Sequence, residues 1–352
     1  MSTGASGTSN YEYVNARVRA RRAALFDDED YRKLLRMGPG EIARFMEESE
    51  YETEVNALGA RYDGVDLIEY SLNRNLAKHF NDLLDWSGGD LYALIARYLR
   101  KFDAWNVKTV VRGIYADADR EDVQSDLIRA GEFDDAFLDR LTEAGSLEDV
   151  ADLLDGTIFG DPVEEAWEDY EETGLLVPLE NAVDRAFYEE LMKGVTESQN
   201  RALQLYVEFL QAEIDFRNVR NALRISRSGA DIDPSEYFIE GGRLFSASEI
   251  AQLAGNTDEL VARIRDSTYG NDLDDALDEL ERADSLIGFE HALDAALLEY
   301  SDHLSYAFPL SVCPVLAYVL AKEREVDNIR AIARGREAGL SEDEIEEELV
   351  IL

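Results

Sequence analysis

Asp103, Asn106, Lys108 and Arg112 place a carboxylate, an amide and two cations on neighbouring turns of one segment, a set that could move a proton, orient a polar group or hold an anion. The same spacing returns at Asp215, Asn218, Arg220 and Arg224. With a longer carboxylate it returns again at Glu325, Asn328, Arg330 and Arg334. One reacting centre needs one such set, whereas three fit a packing network. An asparagine on an apolar helix stripe must satisfy both ends of its amide, and charged neighbours or the backbone ends of adjoining helices can do so. Asp103, Asn106, Arg112, Asp215, Asn218, Arg224, Glu325, Asn328 and Arg334 are therefore expected to form a structural repeat network, with no catalytic residue among them.

Other candidate chemistry is thinner. Asp274-Asp275-Ala276-Leu277-Asp278 spells DDxxD, the acidic pattern that holds magnesium and diphosphate in helical prenyl-transfer enzymes. Among 76 acidic residues such a match arises freely, and no basic, aromatic-lined partner motif follows it. His79, His291 and His303 stand singly, without HExxH or HxH spacing, so neither a metal site nor a triad is expected. No GxxxxGKS/T or GxGxxG loop occurs, so no nucleotide or other cofactor is expected. Cys313, the single cysteine, lies in an apolar stretch and reads as a small buried hydrophobe. Alone it forms no intramolecular disulfide, and it fits a reducing compartment.

The elements that carry these sets recur with a fixed period. The three asparagines are 112 and 110 residues apart. A glutamate stands 37 or 38 residues before each of them, in Glu69-x-x-Leu72-Asn73, Glu180-x-x-Val183-Asp184 and Glu290-x-x-Leu293-Asp294. Further upstream come Ile42-Ala43-x-x-Met46 ending at Tyr51, Val150-Ala151-x-x-Leu154 ending at Phe159, and Leu260-Val261-x-x-Ile264 ending at Tyr269. A unit of this length has the size of a domain, well above the roughly 20 to 50 residues of a solenoid repeat. The expected organisation is a disordered amino terminus over 1–10, then helical repeat domains over 11–131, 132–242 and 243–352.

Six prolines in 352 residues, and no sustained alternation of Val, Ile and Thr, predict an all-α fold. Leu91, Ile95, Leu99, Phe102, Asn106 and Val110 step by three or four, as do Val207, Leu210, Ile214, Asn218 and Ile225 with Ala222 between. Both stripes place the repeated asparagine toward the core. The third copy departs at Arg324, where the others have Phe102 and Ile214. Gly113, Gly229 and Gly335 are expected to close the repeat helices, and Ser341 to cap the last one.

A net charge of -41 in a chain that is 45% hydrophobic describes a folded protein with an acidic surface. Six lysines against 29 arginines sharpen the bias. Multimolar salt would screen such self-repulsion, so a halophilic source is inferred. The same field repels nucleic acid and anionic lipid head groups. The longest apolar stretch, 306–321, is broken by Pro309 and Pro314 and falls short of the roughly 20 residues needed to cross a bilayer, so no direct membrane insertion is expected. The cluster Arg17, Arg19, Arg21 and Arg22 is a candidate basic patch, with pairing to the many surrounding acids the favoured reading.

The blocks Tyr11 to Arg19, Lys101 to Thr109, Glu213 to Arg220, and Cys313 to Tyr318 running on to Arg330 keep an order and spacing that resemble the C subunit of archaeal A-type ATP synthases, whose eukaryotic counterpart is the d subunit of the V-ATPase. The resemblance implies three pseudo-symmetric helical domains arranged as a funnel. It implies a noncatalytic rotor component, one copy per complex, between the central-axle subunits and the membrane proteolipid ring. Its place would be peripheral, on the cytoplasmic face of the cell membrane, with ATP chemistry in other subunits. The competing readings are a free-standing helical scaffold and a magnesium-dependent prenyl-diphosphate enzyme.

Overall fold

A computed structural model describes residues 8–195, 200–228, 234–253, 255–267, 269, 270, 277, 278, 281, 286–346 and 349. Among the described residues the regular elements are helices, as the sparse prolines and the absence of strand alternation predict. In chain order they begin with α1 (Tyr11–Arg22), α2 (Asp28–Leu34), α3 (Pro39–Glu47), α4 (Glu52–Leu58), α5 (Gly64–Trp86), α6 (Gly89–Leu99), α7 (Lys101–Tyr115), α8 (Arg120–Asp126), α9 (Asp135–Glu143) and α10 (Leu147–Leu154). They continue with α11 (Gly160–Glu165), α12 (Trp167–Thr173), α13 (Val177–Met192), α14 (Arg201–Ser228), α15 (Ala247–Leu253), α16 (Thr257–Arg265), α17 (Leu286–Ala307), α18 (Cys313–Ala338) and α19 (Glu342–Glu346).

The chain divides into two compact units. One holds residues 43–193 with the first ten, the other residues 11–42 with 194–352. In the first unit the core stripe of α6 and α7 is buried along its whole length, from Leu91 and Ile95 through Phe102 to Val110. Phe80 of α5 stacks on Phe102 at 5.1 Å between ring centres. In the second unit Phe216, Val219 and Leu223 of α14 meet Leu260 and Ile264 of α16, Tyr269, and Leu293 and Ala296 of α17 in one apolar cluster. Residues 11–42 join this unit through specific bonds. Asn15 donates its amide to the carbonyls of Pro309 and Ser311 at 3.0 and 2.9 Å, and Arg22 pairs with Asp302 at 2.5 Å.

Two of the glycines expected to end helices do something else. Gly113 and Gly335 lie inside α7 and α18, where the missing side chain admits a crossing helix. A Cβ on Gly113 would sit 2.4 Å from Val123 Cγ2 of α8, and one on Gly335 would sit 2.6 Å from Ile345 Cγ1 of α19. The two short helices therefore pack on equivalent notches. Gly339, at φ 77°, is the residue that ends α18 in the left-handed conformation. Gly229 lies outside the described residues. Ser341 caps α19 as expected, bonding reciprocally with Glu344. No helix among the described residues is long and apolar enough to cross a membrane.

Candidate functional site

The repeated residues build a lock between one helix and the segment that leads into the following repeat. Asn106, fully buried on α7, donates its amide to the Ile128 carbonyl at 2.8 Å and accepts from the Ile128 N–H at 2.8 Å. Asn218 on α14 does the same with Ile239, at 2.8 Å in both directions. Each amide thus satisfies both ends on one backbone residue, which resolves the cost of placing asparagine on an apolar stripe.

The carboxylate one turn earlier holds the next piece of the same segment. Asp103 accepts from the N–H groups of Glu132 at 2.7 Å and Phe133 at 3.0 Å. Asp215 accepts from those of Arg243 and Leu244 at 3.0 Å, and from the Tyr269 hydroxyl at 3.1 Å. The segment must come close to do this. A Cβ on Gly131 would meet Asp103 Oδ1 at 2.1 Å and one on Gly242 would meet Asp215 Oδ1 at 2.2 Å, so a side chain at either place would displace the carboxylate from its N–H donors. Burial pushes the Asp103 carboxyl up to about 6 against the pull of its two N–H donors, and burial raises Asp215 likewise.

The cations later in each set reach across to the glutamate-containing helix of the following repeat. Arg112 forms a two-pronged pair with Glu180 of α13 at 2.6 and 2.9 Å, and Lys108 meets Asp184 at 2.5 Å. Arg224 forms the equivalent fork with Glu290 of α17 at 2.5 Å, and Arg220 pairs with Asp294. The upstream landmarks and the network residues are thus two halves of one joint.

The third set closes in a different direction. Glu325 on α18 accepts from the Phe26 N–H at 2.6 Å, just ahead of Asp27, the cap of α2, and Asn328 hydrogen-bonds the Tyr31 side chain. Phe133 precedes Asp134, the cap of α9, in the same manner. The segment that completes the last copy is therefore the chain's own amino-terminal stretch. Lys322, fully buried, balances Glu325 at 2.6 Å. The irregular Arg324 turns to Asp294 at 2.8 Å, the acid that Arg220 already holds. Burial alone would raise Asp294, but these two arginines outweigh it and hold the carboxyl below its ordinary value. Arg330 pairs with Asp327 at 3.0 Å, and Arg334 lies on the exposed face of α18.

Sequence reasoning missed two parts. A hydroxyl two residues before each landmark aromatic makes the same turn three times. Ser49 donates to Met46 O and accepts from Tyr51 N, Thr157 bridges Leu154 O to Phe159 N, and Ser267 bridges Ile264 O to Tyr269 N. The repeat of serine or threonine at that offset is the signal. The closure by Phe26 was also legible, in Phe26-Asp27-Asp28 written again as Phe133-Asp134-Asp135.

The other candidates are scattered. His79 is buried and His303 exposed. Burial holds the Cys313 thiol up at about 11, which keeps it protonated at neutral pH. Asp274 and Asp275 lie outside the described residues, and Asp278 pairs with Arg265 at 3.0 Å. Among the described residues no three His, Cys, Asp or Glu side chains converge as a metal site.

Comparison with known proteins places these features in one setting. The family described as ATP synthase (C/AC39) subunit matches residues 14–348. The chain is similar to the C subunit of the A-type ATP synthase of Haloferax volcanii, at 70% identity over the whole of both chains. It is 64% identical to the corresponding protein of Halobacterium salinarum over 99% of each chain, and 35% identical to that of Methanosarcina acetivorans over 98% of this chain and 94% of the relative.

Proposed function

The chain belongs to the C/AC39 family of ATP synthase subunits, and we propose that it is the noncatalytic central-stalk rotor component that couples the axle to the membrane proteolipid ring. The observation that supports this reading most is the lock itself. A coupler must carry torque without yielding, and buried amides and carboxylates that grip a neighbouring backbone remove slack between helices. The cross-helix ion pairs at Lys108–Asp184 and Arg220–Asp294 add fixed points beside each lock. The reading includes three domains over 11–131, 132–242 and 243–352, set as a funnel. It also includes one copy per complex, on the cytoplasmic face of the membrane, with ATP made or hydrolysed by other subunits.

A tagged chain recovered from detergent-solubilised membranes in multimolar KCl tests this. Head, axle and proteolipid subunits should be recovered together with it, identified by mass. A chain that stays in the soluble fraction without any of them would end the rotor reading.

A further inference from the structure

The second unit exposes an apolar turn between α17 and α18. Tyr306 is 83% exposed and Leu310 62%, the two highest values among the described large hydrophobic side chains, and Ala307 and Pro309 between them are exposed as well. An isolated exposed leucine needs no explanation, but two such side chains in one five-residue turn form a patch.

The turn is held against α1, the most basic helix of an acidic chain. Buried Asn15 grips the Pro309 and Ser311 carbonyls, and Arg22 reaches Asp302 on α17. Four arginines fall within residues 17–22 against one acid, Glu12, in α1, while the whole chain has 76 acids and 35 bases. Arg22 satisfies the pairing expected of this cluster. Arg19 is exposed, and none of the described acids pairs with it. Arg17 lies 4.8 Å over the half-exposed ring of Tyr13, and Arg201 lies 4.8 Å over Phe308 within the turn. Arginine and aromatic side chains together, around exposed aliphatic ones, have the composition of a protein-binding core.

We propose that the Tyr306–Leu310 turn and the exposed face of α1 form the seat of an acidic, helical stalk protein, the axle; this rests on the rotor reading above. Charge selects the occupant. Cytoplasmic loops of membrane proteins carry an excess of Lys and Arg, so the proteolipid ring suits the acidic remainder of this chain and would repel α1. In multimolar salt the Debye length is about 3 Å or less, so the arginines act only at contact and the apolar turn must supply most of the affinity.

Titration calorimetry of the full chain with the purified axle subunits in multimolar KCl tests the seat. Tyr306→Ser combined with Leu310→Ser should weaken binding by about ten-fold or more, and Arg19→Glu should weaken it further, with unchanged thermal melts because all three side chains are exposed. Tyr115→Ser, a comparably exposed site in the first unit, should bind as the native chain does. Equal binding by the native chain and the Tyr306/Leu310 variant would overturn the seat alone. So would loss of binding to protein-free anionic vesicles with axle binding intact, which would make the turn a lipid contact. Failure of the native chain to bind the axle would overturn the rotor reading along with it.

Discussion

At Asn106 one side chain closes two backbone bonds, so replacing it tests the lock directly. Asn106→Leu leaves the Ile128 N–H buried without a partner and the Ile128 carbonyl with the Ala130 N–H alone, at a cost of about 1–3 kcal/mol. Chemical denaturation in high salt should show that loss, and a change below about 0.5 kcal/mol would mean the amide is not structural. Asp103 gives a pH-dependent test. Its carboxyl is raised to about 6 by burial, so the folded state binds its proton more tightly than the unfolded state does. The stability it contributes is full below the unfolded value near 3.8 and is lost as pH rises through about 6. Stability of the native chain relative to Asp103→Asn should therefore fall between pH 4 and pH 7. The comparison cancels the titration of the other carboxylates, and a flat difference would contradict the raised value.

Between elements, the joints depend on close approach as much as on polar bonds. Gly335→Ala should favour the helix by about 1 kcal/mol in isolation. Its Cβ would nonetheless drive into Ile345 Cγ1 at 2.6 Å, so a net loss of about 1–3 kcal/mol is expected. Faster amide exchange at Ile345 and Leu340 should accompany it, and a variant more stable than the native chain would refute the notch. The closing joint has its own signature: Glu325→Gln keeps an acceptor for Phe26 but breaks the buried pair with Lys322, so amides over 26–37 should exchange faster while those over 128–141 do not. Much of this was legible in the chain. Asn106 and Asn218 stand out because an amide on an apolar stripe demands partners, and Glu180 and Glu290 because they keep step with them. The blocks Leu127 to Gly131 and Phe238 to Gly242 recur beyond the two asparagines, but that Asn106 and Asn218 bond Ile128 and Ile239 within them was not legible, since a backbone N–H and carbonyl leave no mark in side-chain types. Gly113 and Gly335 misled because glycine marks both helix ends and helix crossings, and only the distance to Val123 or Ile345 separates the two.

For the molecule as a whole, the charge of -41 sets the conditions under which any of these joints holds. Paired acids such as Glu180, Asp184, Glu290 and Asp294 are neutralised locally. Their pairs do not offset the excess, because acids outnumber bases 76 to 35. At about 0.1 M salt the Debye length is about 10 Å, so neighbouring surface carboxylates still feel one another, whereas at about 1 M it is about 3 Å and they do not. Most half-exposed ion pairs weaken over the same range, but each contributes only about 0–1 kcal/mol, less than the relief of repulsion summed over the excess acids. The melting temperature should therefore rise steeply from low to multimolar KCl, and partial unfolding is expected at low salt. High sequence identity to proteins of Haloferax and Halobacterium accords with that demand. Far-UV circular dichroism at the two salt concentrations checks it. Equal melts would mean that the acidic surface is balanced by something other than screening, and the halophilic reading of the composition would then fail.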